Sequence, residues 1–257
     1  MAPTGSIILM AVNALVGIAV PVGLSWYLVR KYRAKFSTIL IGAVTFLVFA
    51  LILRGLFELL VMDGLVGDAM FKSRHFKLWF LLYAGLSAGI FEETGCFLSM
   101  KYLMKKEPST PLPAMAFGVG CGGVQMLFGL GLMSLGGLLA LALNDDLYHV
   151  GAVLSFGGML PPVTDDLLGF WECISMLVLR LSFSCLVWVA VRKGGKWLWL
   201  FPAAIALHAL VVGGFTMLRY SVGRVTLDLV LTAAAVAVAV FAYRIVKDTL
   251  ITDEKVQ

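Results

Sequence analysis

Charge is scarce in this chain. Asp, Glu, Lys and Arg together supply 14% of its 257 residues, where a soluble domain carries about 25%. No Lys or Arg precedes the first apolar stretch, which begins at Ser6 and runs on to Leu28. A cleavable signal peptide is therefore not expected, and the stretch reads as a retained first helix. The four cysteines (Cys96, Cys121, Cys173, Cys185) all fall inside apolar segments, so they read as small buried hydrophobes rather than an oxidised framework. No soluble domain, low-complexity linker or internal repeat is visible.

What remains is apolar. Hydrophobic residues make up 61% of the chain and the mean hydropathy is +0.97. One crossing of a bilayer takes about 20 such residues. Seven candidate spans follow, at 6–28, 38–62, 78–104, 112–143, 171–191, 197–218 and 225–246. The fold class is all-α, a polytopic transmembrane bundle forming one domain over 1–257. The fourth span is too long for one perpendicular helix, so it is tilted, broken at its glycines or continued at the outer face.

The loops set an orientation. Arg30, Lys31, Arg33 and Lys35 follow span 1, and Lys101, Lys105 and Lys106 end span 3. Arg192, Lys193 and Lys196 follow span 5, and Arg244, Lys247 and Lys255 follow span 7. These ends share one side if seven helices alternate, and they hold 13 of the 20 basic residues. The positive-inside rule then puts the N-terminus outside and the C-terminus in the cytoplasm. The net charge of +5 reflects this loop asymmetry and does not call for nucleic acid. The longest outer connection, 144–170, carries Asp145/Asp146 and Asp165/Asp166 around an apolar stretch, as a loop or a re-entrant segment.

Polar groups at membrane depth carry the functional information, because a charged residue at the centre of a span costs about 2.5–3.5 kcal/mol on insertion scales. Glu92 and Glu93 are adjacent in span 3, about 12–14 Å from Lys101 at roughly 1.5 Å per residue. Cys121 in span 4, Arg180 in span 5 and His208 in span 6 fall at a similar level. Gly85, Gly89 and Glu92 share a helix face, and Gly118 and Gly122 form a small-xxx-small pair, so Glu92 should look into a helix seam rather than lipid. Alone, His208 or Cys121 reads as a packed core residue. Arg54 and Glu58, spaced i,i+4, read as a structural ion pair. Two adjacent carboxyls in a low dielectric do not both ionise without a cation, and such a pair can act as acid or base, proton carrier or metal ligand.

At FEETG (Phe91 to Gly95) the chain resembles the YhfC-like group of intramembrane metalloproteases, relatives of the CAAX-protease and bacteriocin-processing superfamily. The resemblance covers most of the chain: helix count, the FEETG span with its basic turn, the GVGCGG segment and a late HAL. It implies that Glu92 activates water, that Glu93 is its partner and that His208 is the late histidine of the site. The pattern also departs from that group. Cys96 stands where a basic residue usually follows EETG. Phe117-x-x-x-Cys121 replaces FxxxH, and Gln125 stands in place of a glutamate. Val212 follows His208 at the position of Asn or Asp, and Arg180 falls where relatives carry a histidine.

A zinc site, if there is one, would draw on Glu92, Cys121 and His208. A guanidinium at that level disfavours it and would pair with the carboxylates instead. Cys96, Cys121, Gln125 and Arg180 are then pocket-lining residues around Glu92, Glu93 and His208. The expectation is an intramembrane protease homologue with an altered site that binds or cleaves membrane-associated peptides, embedded in a prokaryotic plasma membrane. The rival is a transporter or channel moving ions or protons through Glu92, Glu93 and Arg180.

Overall fold

The computed structural model describes residues 4–61, 72–142, 163–219 and 221–251, and among these every regular element is helical. Helix α1 spans Thr4–Tyr32 and closes on Arg30 and Lys31, cations that suit a helix C-terminus. Arg33 follows with φ +58°, and the Ala34 N–H donates back to the Leu28 carbonyl at 3.1 Å. That is the left-handed turn which normally takes glycine.

Helix α2 starts at Phe36–Thr45, passes through π-helical turns at Phe46–Leu53 and resumes as Arg54–Leu59. Helix α3 is Phe76–Tyr102. Helix α4 starts at Pro111, where the missing N–H costs nothing. It runs through Pro111–Met126, π-helical Leu127–Leu132 and Met133–Ala142. Helix α5 is Val163–Lys193, α6 is Leu200–Leu218, and α7 is Arg224–Val246 with a π-helical end at Lys247–Ile251.

Among the described residues, seven long helices thus stand where seven spans are expected. Six of them are long and apolar enough to cross a membrane. The seventh, α3, has the length but carries Lys77, Glu92, Glu93 and Lys101. The long fourth span is a helix that passes through π turns at Gly129 and Gly131, with residue 143 outside the described residues. One boundary is corrected: α5 begins at Val163, eight residues before the expected start, so Asp165 and Asp166 belong to a helix and not to a loop. The rest of the 144–170 connection, through residue 162, lies outside the described residues.

Helix α5 is the centre of the bundle. Leu186, Val187, Trp188, Val189 and Ala190 are all fully buried, a run covering every side of the helix. Lipid would accept such a helix as well, so it is packing that encloses this one, with α3, α4, α6 and α7 all against it. Helix α1 is the opposite case, with Leu15, Val22 and Trp26 exposed on its outer side.

Glycine permits the closest approaches. A Cβ at Gly42 would strike the Phe117 carbonyl, and one at Gly120 the Ile39 carbonyl, which locks α2 to α4 backbone to backbone. Gly85 and Gly89 do the same for α3 against the Ala209 and Ile205 carbonyls of α6.

Three of the basic ends meet at one face. Lys35 Nζ lies 2.9 Å from Glu107 Oε1, and Arg192 donates to the Lys105 and Glu107 carbonyls and to Ser109 Oγ.

Candidate functional site

Glycine-mediated packing of α3 on α6 and of α4 on α2 brings five helices around the FEETG turn. Glu92 and Glu93 are both buried, at 4% and 1% exposure. Adjacent positions on a helix differ by about 100°, so the two carboxyls face different neighbours. Glu92 meets two guanidinium groups. Arg54 Nη1 of α2 donates to Oε1 at 2.9 Å, and Arg180 Nη2 of α5 is ion-paired with Oε2. Glu93 meets α6, with Oε1 2.6 Å from His208 Nδ1.

The network extends outward from each partner. Arg54 Nε also binds Glu58 Oε1 at 2.8 Å, and that oxygen accepts from Ser87 Oγ at 3.2 Å. Arg180 Nε donates to Gln125 Oε1 at 2.7 Å, while its guanidinium stands 5.0 Å from the centre of the Phe46 ring. His208 stacks on Phe183 with ring centres 4.9 Å apart, and its Nε2 lies 3.9 Å from Glu92 Oε2. Three carboxylates, Glu58, Glu92 and Glu93, face two guanidinium groups and one imidazole.

The cysteines sit to one side. Cys121 Sγ donates to the Gly42 carbonyl at 3.2 Å, and Cys96 lies beside it. Both line a cavity of about 10 Å³ with Glu92 and Arg180, room for a single water. A second cavity of the same size lies on the other side of Arg180, against His208 and Phe183. Glu92, Cys121 and His208 therefore do not share one pocket. They border two water-sized spaces separated by the Arg180–Glu92 pair. Nearby, Thr45 Oγ1 and Ser99 Oγ pair at 2.7 Å.

Gln125 is the link to open space. It lines a cleft of about 320 Å³ between α1, α4 and α5, whose opposite end carries Glu172, Arg219 and Arg224. Its Oε1 is turned to Arg180, so its amide nitrogen is the end left for the cleft.

Sequence reasoning places Glu92, Glu93, Arg180 and His208 together, as the structure does, with Gln125 and the two cysteines around them. It misses Arg54. The expected i,i+4 ion pair with Glu58 is present, and the same residue is also the second cation on Glu92. The signal was available in the charges, since one arginine cannot balance two intramembrane carboxylates.

The donor set does not suit a catalytic zinc. Both oxygens of Glu92 are engaged by guanidinium groups, Glu93 is engaged by His208 through Oε1, and Cys121 faces a backbone carbonyl. Among the described residues no three His, Cys, Asp or Glu side chains are placed to hold a metal ion together.

Comparison with known proteins gives the lineage. The model of the family described as YhfC intramembrane metalloprotease matches residues 16–236. The uncharacterized membrane protein YhfC of Bacillus subtilis (strain 168) is 31% identical over 216 residues, covering 80% of this chain and 82% of that protein. No solved structure matches. Apolar spans and a bacterial membrane relative mark an integral protein of the bacterial plasma membrane. The chain belongs to the YhfC intramembrane metalloprotease family.

Proposed function

We propose that this chain is a non-cleaving member of its family, which holds membrane-embedded peptide segments instead of hydrolysing them. The observation that carries the reading is the double clamp on Glu92. Water activation needs a carboxylate free to accept a proton, and here both oxygens are engaged by Arg54 and Arg180. The two adjoining cavities hold about one water each and are not joined into a path. This counts against the ion-conduction alternative as well as against hydrolysis.

The binding half of the proposal rests on the cleft. Met10, Met126, Met133 and Met176 line it, and methionine walls adapt to varied apolar side chains. Its volume falls at the lower end of ordinary ligand sites, about 300–1,000 Å³. The Gln125 amide N–H is positioned for a peptide carbonyl, and Arg219 for an anionic group at the membrane edge.

The test is reconstitution with synthetic transmembrane peptides, followed by mass spectrometry with added zinc and with chelator. The expected result is intact peptide throughout, with photo-crosslinking from position 126 or 176 into the peptide. Cleavage that vanishes on Glu92→Gln would overturn the non-cleaving reading, and crosslinks only to lipid would overturn the binding one.

A further inference from the structure

A second hollow lies on the other side of α4, facing away from the glutamate pair. Helices α1 and α2 both pack on α4 but scarcely touch each other. The trough between them has a volume of about 600 Å³, with Ile18 and Val22 on one wall and Leu40 on the other. Its floor is formed by Gly120, Gly123 and Val124 of α4. The lining is almost wholly apolar except at the basic face, where Arg30 closes the end beside Trp26, both of them exposed.

Length decides what fits. From Gly17 to Arg30 the trough climbs about 20 Å at roughly 1.5 Å per residue. A complete hydrocarbon core is about 30 Å thick, so one leaflet is about 15 Å. The trough is too short for a spanning helix and long enough for an acyl chain running from the headgroup level to just past the midplane. A cation at the headgroup end and no charge along the walls match an anionic phospholipid. Tyr27, Tyr32 and Trp26 stand at the same level, as aromatic side chains do at a membrane interface.

We propose that the α1–α2 trough is a binding site for one anionic phospholipid of the leaflet on the basic face, with an acyl chain on Gly120 and Gly123 and the phosphate on Arg30. The site is independent of the peptide cleft and of any chemistry at Glu92.

The probe is phosphatidylglycerol in phosphatidylcholine vesicles. Protein is reconstituted, extracted in mild detergent, and its retained lipid is counted by native mass spectrometry. Wild type is expected to keep one phosphatidylglycerol in preference to phosphatidylcholine. Arg30→Gln should lower that preference about fivefold, the factor one basic residue is worth at an anionic surface, and Arg30→Lys should restore most of it. Ser25→Phe, which fills the trough and leaves every charge in place, should reduce retention of both lipids. Lys196→Gln, at the same face but away from the trough, should change nothing. Equal losses in Arg30→Gln and Lys196→Gln would reduce the effect to general surface attraction and overturn the site. So would undiminished retention in Ser25→Phe with an unchanged melting temperature.

Discussion

Arg54 and Arg180 approach Glu92 from opposite helices, and each takes one oxygen of the same carboxylate. Buried ion pairs are strongly coupled, since removing one member strands the other in a low dielectric. Arg180→Met is therefore expected to destabilise the protein, though by less than the roughly 3–5 kcal/mol of a wholly stranded buried charge, because Arg54 remains on Glu92. Adding Glu92→Gln should recover part of that loss. Thermal unfolding in detergent measures both, and strictly additive losses would show that the pair is not coupled.

A second expectation concerns Arg54, whose position lets it act as a spare. Because it stays on Glu92 when Arg180 is removed, Arg54→Met combined with Arg180→Met should cost more than the sum of the two single losses. Wild-type behaviour of the Arg54 single variant would be consistent with this. Wild-type behaviour of the double variant would not.

Packing gives a sharper contrast. Alanine at Gly42 or Gly120 would drive a methyl group into a backbone carbonyl of the facing helix, which cannot move aside without separating α2 from α4. At Gly23 nothing lies within 4 Å, and the same substitution there should be neutral or stabilising by up to about 1 kcal/mol. Folding yield and melting temperature of the three variants should split accordingly. Equal tolerance at all three would refute the close approach.

Orientation follows from the shared basic face. Lys35, Glu107 and Arg192 are tied together there, so the turns after α1, α3 and α5 lie on one side of the membrane. With that side cytoplasmic by the positive-inside rule, a cysteine at position 106 should label only in opened cells and one at position 74 in intact cells. The reverse pattern would invert the topology.

Arg33 offers a local test. Its φ of +58° costs an L-residue about 1–2 kcal/mol that glycine avoids. Arg33→Gly should raise the melting temperature, and a fall would mean that the side chain holds the turn by contacts outweighing the strain.

Apolar run length alone was enough to count the helices, because the bilayer imposes one length on every crossing. The depths of Glu92, Arg180 and His208 along their own helices brought those residues to one level before any packing was known. Rotation about each helix axis was harder to read. Whether Cys121 faces His208 or the Gly42 carbonyl depends on how α2 and α4 are turned, and hydropathy does not report that. Arg54 was missed for the same reason, since its helix does not keep an α-helical phase on the way to it.

That phase is set by the π-helical turns at Phe46–Leu53, immediately before Arg54. Bonds from i to i+5 seat an extra residue within the turn, so the helix beyond is rotated relative to a regular continuation. One residue is worth about 100°. Were the same residues wound as regular α-helix, Arg54 would be turned by about that angle away from Glu92 and toward a different neighbour. The number of cations on the buried carboxylate is thus encoded in the winding of a segment that carries no charge at all.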